Sequence, residues 1–185
     1  MLRTMPVDER FSELEKVEAL ALEAFPPKEY LAPGELIRMA AEDGFDFLAL
    51  YDDDVFVGFM VVMTHKTMAY LFFLAIEKSF RSMGYGSKAL QTLRKIYPGR
   101  QQVVDMEKQD DSAANRLQRG ERRRFYIRNG YQATGTFLSY LGVDYEVLCT
   151  DDDFDLALFK ELMRGIRIPG FAPRYFAGET GAARG

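Results

Sequence analysis

The feature that most constrains the fold is one continuous segment, residues 68–97, in which an apolar run leads into glycines and then into a helical pattern. The apolar run, residues 68–76, is too short for a core helix and is rich in aromatic side chains, which indicates a strand buried on both faces. Beyond it, Leu90, Leu93 and Tyr97 recur at helical spacing. The segment therefore predicts a strand, a glycine-containing turn and a helix in succession.

The turn of this segment has the composition of a phosphate site. Gly84 and Gly86 allow the backbone to curl with its N–H groups pointing into one space, and the next helix adds its own unpaired N–H groups and positive dipole end. Arg81 stands three residues before Gly84, and its guanidinium group suits phosphate oxygens. Arg-x-x-Gly-x-Gly is a weak pattern alone, so a tight turn with a surface arginine stays open as the alternative.

Length and composition indicate one domain of ordinary size. The chain has 185 residues and 48% apolar residues, enough for a sizeable core. We expect a first domain over residues 1–150. Residues 151–185 are expected to form a C-terminal helix and an irregular tail that packs on this domain or extends from it.

Charge and cysteine content bear on partners and location. The 24 basic and 28 acidic residues give a net charge of −4, which argues against nucleic acid as a partner and allows a cationic substrate. Cys149 is the single cysteine and His65 the single histidine, so the sequence predicts no disulfide and no metal site. Without a signal-peptide core or an apolar run of the ~20 residues that a membrane span needs, we expect a soluble, cytoplasmic protein.

The rest of the chain predicts an α/β (α+β) protein with a central mixed, mostly antiparallel sheet of about six to seven strands, flanked by helices. Gly58 interrupts a strand, which indicates a bulge or a close backbone contact. Asp151 to Asp153 are expected to cap the last helix. Helices are expected over residues 11–25, 35–41, 116–129 and 154–164, and strands over 45–51, 55–63, 102–107, 131–140 and 143–149.

Two segments and the element order together resemble the GCN5-related N-acetyltransferase (GNAT) family. Leu74 to Ser87, L-A-I-E-K-S-F-R-S-M-G-Y-G-S, resembles the acetyl-coenzyme A motif of the family. Phe125 to Tyr131, F-Y-I-R-N-G-Y, resembles its Phe-Tyr-x-x-x-Gly-Phe/Tyr signature. The resemblance covers residues 11–149 and implies a GNAT-like fold for the domain over 1–150, with two strands splayed at a cofactor cleft.

The resemblance implies cofactor-binding residues for acetyl-coenzyme A, the acyl-donor cosubstrate. Backbone groups of Leu74, Ala75 and Ile76 would pair with the pantetheine arm as an added strand does. Tyr126 matches the tyrosine that protonates the departing thiolate, and no metal is required. The pyrophosphate would be held by Arg81 and by the amides of Ser82, Met83, Gly84, Tyr85, Gly86 and Ser87.

The base and the acceptor pocket are less constrained by the sequence. Alternation along the strand over residues 102–107 puts Asp105 and Glu107 on one face, beside the expected cleft. We take Glu107 as the first candidate for the general base and Asp105 as the second. A solvent-facing acidic edge, with a water relay as base, is the alternative. Glu29, Tyr30 and Tyr140 are guesses for the acceptor pocket.

Two further features of the sequence bear on these assignments: one position departs from the family pattern, and one cluster of residues is strongly basic. Position 119 is Arg, where the family often has asparagine, which puts a polar cofactor contact there in doubt. This arginine belongs to the one dense basic cluster of the chain, interpreted as a solvated helix face, with a phosphate contact or an acidic partner as alternatives. The cluster contains Arg116, Arg119, Arg122, Arg123, Arg124 and Arg128.

The sequence thus predicts an enzyme that transfers an acetyl group from acetyl-coenzyme A to a primary amine. The amine belongs to a small molecule or a peptide and attacks directly in a ternary complex. The alternative is an acyl-coenzyme A sensor or scaffold with the same fold and no turnover. A longer acyl donor also stays open. The aromatic residues Phe171, Tyr175 and Phe176 make a homodimer an expectation, and no membrane partner is expected.

Overall fold

A computed structural model describes residues 2–27 and 29–177 of the protein. These residues contain five α-helices and eight β-strands, interleaved along the chain, which confirms the α/β class. The chain divides into two compact units: the N-terminal unit ends at Gln102 and the C-terminal unit begins at Val103. None of the helices in the described part of the chain combines the length and the apolar character needed to cross a bilayer.

The N-terminal unit is an antiparallel sheet with three helices. Its strands follow each other in the order β1-β2-β3-β4, and a short 3-10 turn, Lys78–Phe80, connects the last strand to the last helix. The strands are β1 (Arg3–Pro6), β2 (Phe45–Asp52), β3 (Val55–His65) and β4 (Met68–Ile76), and the helices are α1 (Leu14–Ala24), α2 (Pro33–Ala40) and α3 (Tyr85–Ile96).

The two longest strands of this unit form the centre of its core. Consecutive residues from Phe56 to Met63 in β3 are buried, and so are Met68 to Leu71 in β4. Burial of consecutive residues means that both faces of these strands are covered, because neighbouring side chains point to opposite faces. The predicted strand over residues 68–76 is confirmed at both bounds.

Gly58 is both at a bulge and at a close backbone contact. The pairing of β2 with β3 shifts where Leu50 opposes Gly58 and Tyr51 opposes Phe56. A Cβ atom built on Gly58 would lie 2.1 Å from the carbonyl oxygen of Ala75 in β4. The absence of a side chain at residue 58 therefore lets β3 and β4 pair at this point, which confirms the sequence interpretation.

The C-terminal unit is a second antiparallel arrangement, in the order β5-β7-β6-β8, with two helices. Cys149 ends β7 fully buried, and burial raises the pKa of its thiol to about 11. The elements are β5 (Gln101–Glu107, with its first two residues in the N-terminal unit), α4 (Arg116–Arg128), β6 (Gln132–Tyr140), β7 (Val143–Cys149), α5 (Leu156–Met163) and β8 (Arg174–Ala177).

The structure corrects three details of the sequence interpretation. The sheet strands number eight rather than six or seven, because β1 and β8 have four residues each and too few for a pattern. The segment 174–177 was expected to be irregular, which is wrong, since it pairs with β6. The cap of α5 is Asp155, whose Oδ1 accepts a hydrogen bond of 2.8 Å from the Leu158 amide, rather than Asp151 to Asp153.

Two expectations about organisation stay predictions. The boundary at residue 150, between a domain over 1–150 and an extension over 151–185, is one of them, and residues 178–185 of that extension lie outside the described residues. The other is the splay between β4 and β5. Tyr175 and Phe176, which suggested a homodimer, belong to β8 and pair with β6 within the chain.

Replacing Gly58 with alanine should destabilise the fold. The added methyl group would overlap the carbonyl of Ala75, and overpacking of this kind costs roughly 2 kcal/mol or more when a paired backbone must move. Urea denaturation measures the loss in free energy of unfolding. Gly34→Ala in α2 is the matched control, because nothing lies within 4 Å of the new Cβ, and it should stabilise by about 0.5–1 kcal/mol. Equal stability of the two variants would contradict this account of residue 58.

Candidate active site

The loop before α3 presents a set of unpaired main-chain amides. Ser82 and Gly84 both have left-handed backbone angles, with φ of 63° and 84°, and α3 begins directly afterwards at Tyr85. Within the described residues, the amides of residues 82–87 donate no hydrogen bond to the protein. Left-handed residues between other backbone conformations turn successive N–H groups into one concavity, which is a known form of anion site.

The start of α3 lacks the groups that usually satisfy a helix N-terminus. No capping side chain accepts a hydrogen bond there, and the first turn contains no acidic residue. The positive end of the helix dipole is therefore uncompensated within the helix itself. A bound phosphate would supply the missing negative charge.

The sequence interpretation named the amide of Tyr85 but missed the side-chain contacts of Tyr85 and Lys88 at this helix start. The hydroxyl of Tyr85 donates a hydrogen bond of 2.7 Å to Asp52 Oδ2, which raises the pKa of Tyr85. Lys88 Nζ lies 3.4 Å from the same carboxylate oxygen and 4.3 Å from the centre of the Tyr85 ring. These contacts anchor the first turn of α3 to the end of β2. The only sequence signal was the acidic turn that follows β2.

Arg81 is committed to protein partners in the structure. Its Nε donates a hydrogen bond of 2.9 Å to the carbonyl of Ile76, and its two terminal nitrogens both bind the carboxylate of Glu23 on α1. The hydrogen bonds from Arg81 lower the pKa of Glu23. Three of the five N–H donors of Arg81 are thus in use. Its contact with a pyrophosphate stays a prediction.

The strand residues expected to contact pantetheine are paired along one edge. Leu74, Ala75 and Ile76 lie opposite residues 60, 59 and 58 of β3. Leu74 and Ile76 are half-buried, whereas Ala75 is buried. The expected pairing with pantetheine concerns the other edge of β4 and stays a prediction.

In the C-terminal unit, Tyr126 lies on α4 with its ring buried. The ring contacts those of Phe125 and Tyr131, with centroid distances of 5.1 and 5.5 Å. Burial raises the pKa of Tyr126 to about 12. The negative charge of Asp105 adds to this rise, and the positive charge of Arg122 opposes it. Its hydroxyl has no hydrogen-bond partner among the described residues. The phenol is therefore a proton donor that stays protonated near neutral pH.

Glu107, the first candidate for the base, is surrounded by cations. Its carboxylate accepts hydrogen bonds from Asn115 Nδ2 at 3.1 and 3.3 Å. Arg119 lies at 2.9 Å and Arg122 at 3.4 Å from its oxygens. The carboxylate of Glu107 is thus held by two guanidinium groups and an amide, which connects α4 to the end of β5.

Asp105, the second candidate, is joined to another predicted residue. The hydroxyl of Tyr140 donates a hydrogen bond of 2.8 Å to Asp105 Oδ2. The ring of Tyr140 stacks on that of Tyr145, with centroids 4.2 Å apart and planes 9° apart. The structure thus brings together Asp105 and Tyr140, which the sequence named separately, and the charge of Asp105 acts on Tyr126.

Glu29 and Tyr30, the other two guesses for the acceptor pocket, lie in the N-terminal unit between α1 and α2. Their amides donate to the carbonyl of Pro26 at 2.9 and 3.0 Å. Both residues are half-buried. Their role in acceptor binding stays a prediction.

The arginine at position 119, where the family often has asparagine, connects α4 to β5. It donates to Asn115 Oδ1 at 2.8 Å and to the carbonyl of Lys108 at 2.7 Å, in addition to its ion pair with Glu107. A structural bridge thus occupies the position. The sequence signal for this bridge was that the arginines of α4 outnumber the carboxylates near them in the sequence.

The remaining arginines of the basic cluster divide into paired and exposed side chains. Arg123 binds both oxygens of Glu146 at 2.9 and 3.0 Å, and Glu146 is only 6% exposed. Arg116, Arg124 and Arg128 are exposed. The predicted solvated face therefore describes these three arginines, whereas Arg119, Arg122 and Arg123 bind carboxylates of the same unit.

The comparison with protein families settles the resemblance. The family model described as "Acetyltransferase (GNAT) domain" matches residues 43–133, which include both the loop before α3 and Tyr126. Residues 43–133 belong to the GNAT acetyltransferase family. No curated protein matches the sequence. The GNAT assignment from the two short segments is confirmed.

Solved structures share the GNAT fold at low sequence identity. A GNAT-family protein of Bacteroides thetaiotaomicron is 21% identical, with a TM-score of 0.67 over 86% of this chain and 92% of that chain. An aminoglycoside 6'-N-acetyltransferase complexed with coenzyme A is 17% identical, with a TM-score of 0.62 over 83% and 99%. The ribosomal-protein-S18-alanine N-acetyltransferase from Escherichia coli is 13% identical, with a TM-score of 0.56 over 84% and 96%. These similarities show the fold.

Replacing Gly84 with valine should weaken coenzyme A binding and leave the domain folded. Nothing lies within 4 Å of a Cβ at residue 84, but its φ of 84° disfavours a β-branched residue and the side chain would stand among the amides of residues 82–87. We expect affinity to fall about tenfold or more, the loss of one or two hydrogen bonds to a charged group. Titration calorimetry with coenzyme A measures it.

Gly99→Val is the matched control for this experiment. Gly99 also has a left-handed φ, of 70°, with open space around its Cβ position, and it lies in the turn after α3. The control should bind coenzyme A as the unmodified protein does. Equal affinity of the Gly84 and Gly99 variants would contradict the placement of the phosphates at residues 82–87.

Proposed function

We propose that the protein is an acetyl-coenzyme A-dependent N-acetyltransferase that acts on a primary amine of a small molecule or a peptide. The observation that carries the proposal is the row of unpaired amides at residues 82–87, within the segment that belongs to the GNAT family. Coenzyme A is bound by the structurally similar aminoglycoside 6'-N-acetyltransferase. In this proposal the protein acts in the cytoplasm, and no metal takes part.

The pyrophosphate of acetyl-coenzyme A fits the residues of the loop. Six consecutive amides, with two left-handed residues among them, offer more donors than a single helix N-terminus does. The backbone of Leu74, Ala75 and Ile76 would bind the pantetheine arm. Arg81 would contribute through its unused donors or by exchanging Glu23 for phosphate.

The reaction requires few groups beyond correct positioning. The amine loses a proton from its ammonium form, and its nitrogen attacks the thioester carbonyl carbon. A C–N bond forms, the nitrogen gives up a second proton, the C–S bond breaks, and the thiolate of coenzyme A takes a proton. The products are an N-acetylated amine, free coenzyme A thiol and one proton released to solvent.

Asp105 is the residue that we propose as the base. The Tyr140 hydroxyl donates a hydrogen bond to its Oδ2, and its negative charge acts on Tyr126, whereas Glu107 is held in ion pairs with two guanidinium groups. A general base must lie within reach of the attacking amine and near the acid, and Asp105 is the carboxylate whose charge acts on Tyr126. This reverses the order in which the sequence ranked Asp105 and Glu107.

Tyr126 is the residue that we propose as the acid. Its pKa of about 12 keeps the hydroxyl protonated at neutral pH, so it is ready to donate to a developing thiolate. The absence of a hydrogen-bond partner among the described residues leaves this donor available to a ligand. After turnover, the proton that Asp105 has removed from the ammonium group leaves to solvent, and the second proton lost by the nitrogen restores Tyr126 by way of solvent.

A second function, an acyl-coenzyme A sensor or scaffold without turnover, is favoured by one observation. Glu107, the first candidate for the base, and Arg81, named for the pyrophosphate, are both held in ion pairs with other side chains. Such a protein would keep the amides of residues 82–87 and bind the cofactor. It would not release thiol.

Mixing the protein with acetyl-coenzyme A and a panel of primary amines should release coenzyme A thiol, detected with a thiol reagent. Tyr126→Phe should lower kcat by about 10²-fold, a usual size for loss of a general acid, with nearly unchanged affinity for coenzyme A. Tyr97→Phe, which removes a hydroxyl bonded to Asp46, is the control and should leave kcat unchanged. Cofactor binding without thiol release from any amine would favour the sensor or scaffold.

Asp105→Asn and Glu107→Gln should have different consequences. The first should lower kcat by about 10²-fold and abolish the acidic limb of the pH–rate profile, because it removes the base. The second should lower the free energy of unfolding by roughly 1–3 kcal/mol, because Arg119 would lose its ionic partner in a mostly buried site. Steady-state kinetics and urea denaturation of both variants separate the two effects. The opposite pattern would return the role of base to Glu107.

A further inference from the structure

The sheet of the C-terminal unit carries several aromatic side chains on the face that contains Asp105. Glu107 lies opposite Tyr145, Tyr145 opposite Leu138, and Leu138 opposite Tyr175. Directly opposed residues share a face, and Asp105 shares it too because it stands two residues before Glu107. Asp105 is therefore at one side of a face that is aromatic across three further strands.

The contacts within this face join the carboxylate to the rings. Tyr140, stacked on Tyr145, donates its hydroxyl to Asp105. The ring of Phe171, from the segment between α5 and β8, lies 4.8 Å from that of Tyr140 with planes 54° apart. Asp105, Tyr140, Tyr145, Phe171 and Tyr175 are called the aromatic patch from here on.

The aromatic patch offers surface to a ligand. Asp105, Tyr140, Phe171 and Tyr175 are half-buried, and only Tyr145 is buried. A carboxylate beside aromatic rings attracts an ammonium group by direct charge interaction and by the quadrupole of the rings. The same rings provide apolar area for the carbon skeleton that carries the ammonium group.

Positive charges at the sides of the patch limit the charge of that ligand. Lys160 Nζ lies 5.0 Å from the centre of the Tyr175 ring. Burial raises the pKa of Tyr175 and that of Tyr126 to about 12. Arg164 opposes the rise at Tyr175 and Arg122 opposes it at Tyr126, so both guanidinium groups act on phenols that also sense Asp105. A ligand with one positive charge places that charge beside Asp105, whereas a polycation would place further charges against these cations.

We propose that the aromatic patch binds the acceptor, and that the acceptor is a monoamine whose primary ammonium group is attached to an aromatic or flat apolar body. The ammonium group binds Asp105, and the apolar body lies on the rings of Tyr140 and Phe171. This inference rests on the proposed function for the fate of the amine. It selects arylalkyl monoamines over polycationic amino sugars and over short aliphatic amines.

Calorimetry with the full chain and coenzyme A tests the inference directly. The probes are 2-phenylethylamine, propylamine, which lacks the ring, 2-phenylethanol, which lacks the charge, and kanamycin, an amino sugar with several charges. We expect 2-phenylethylamine to bind about tenfold or more tightly than each of the others, the size of a cation–π contact together with apolar burial. Equal or tighter binding of kanamycin or propylamine would overturn the inference.

Phe171→Ala and Phe176→Ala form a matched pair of variants. Phe176 is also an aromatic residue of this unit, but it stacks on Phe137, at a centroid distance of 5.7 Å, on the opposite face of the sheet. Phe171→Ala should reduce affinity for 2-phenylethylamine about tenfold and leave that for propylamine unchanged. Phe176→Ala should change neither. Equal effects of the two variants would also overturn the inference.

Thiol release in the same samples separates this inference from the proposed function. Release with 2-phenylethylamine and a lower kcat/KM in Phe171→Ala would support both. Release that is fastest with kanamycin would retain the acetyltransferase and reject the aromatic patch as its acceptor site. Tight binding of 2-phenylethylamine without any release would retain the binding site and reject the acetyltransferase.

Discussion

The pairing of β3 with β4 is the constraint on which the rest of the N-terminal unit depends. Both strands are covered on both faces, and their approach requires a residue without a side chain at position 58. Because β4 is fixed in this way, the backbone that leaves it at Ile76 enters the loop before α3 from a defined direction. The arrangement of the amides of residues 82–87 thus depends on the buried pair of strands β3 and β4 as well as on Gly84.

The sequence predicted the parts of the fold that are large and periodic. The strand at 68–76, the hairpin of β6 and β7 and the close contact at Gly58 followed from apolar runs and turn residues, because burial imposes those patterns directly. The short strands β1 and β8 could not be predicted in this way. Four residues contain too little periodicity, and their pairing depends on partners far away in the sequence.

The candidate site divides in the same way between what is local and what depends on tertiary contacts. Glycine at residue 84 and the pattern of residues 81–86 revealed the loop, since backbone conformation is encoded locally. The partners of the charged side chains were not visible. Each of these contacts requires two elements to meet, and a single sequence does not show which elements do. The contacts are those of Arg81 with Glu23, of Glu107 with Arg119 and of Asp105 with Tyr140.

The buried position of Cys149 gives the protein a native reporter. As the only sulfhydryl in the chain, fully enclosed at the end of β7 and with its pKa raised to about 11, it should be almost inert to alkylating reagents in the folded state. Modification would then require the strands around it to open. The rate at which a maleimide or disulfide reagent labels the unmodified chain would accordingly measure how often the C-terminal unit unfolds, without any engineered probe.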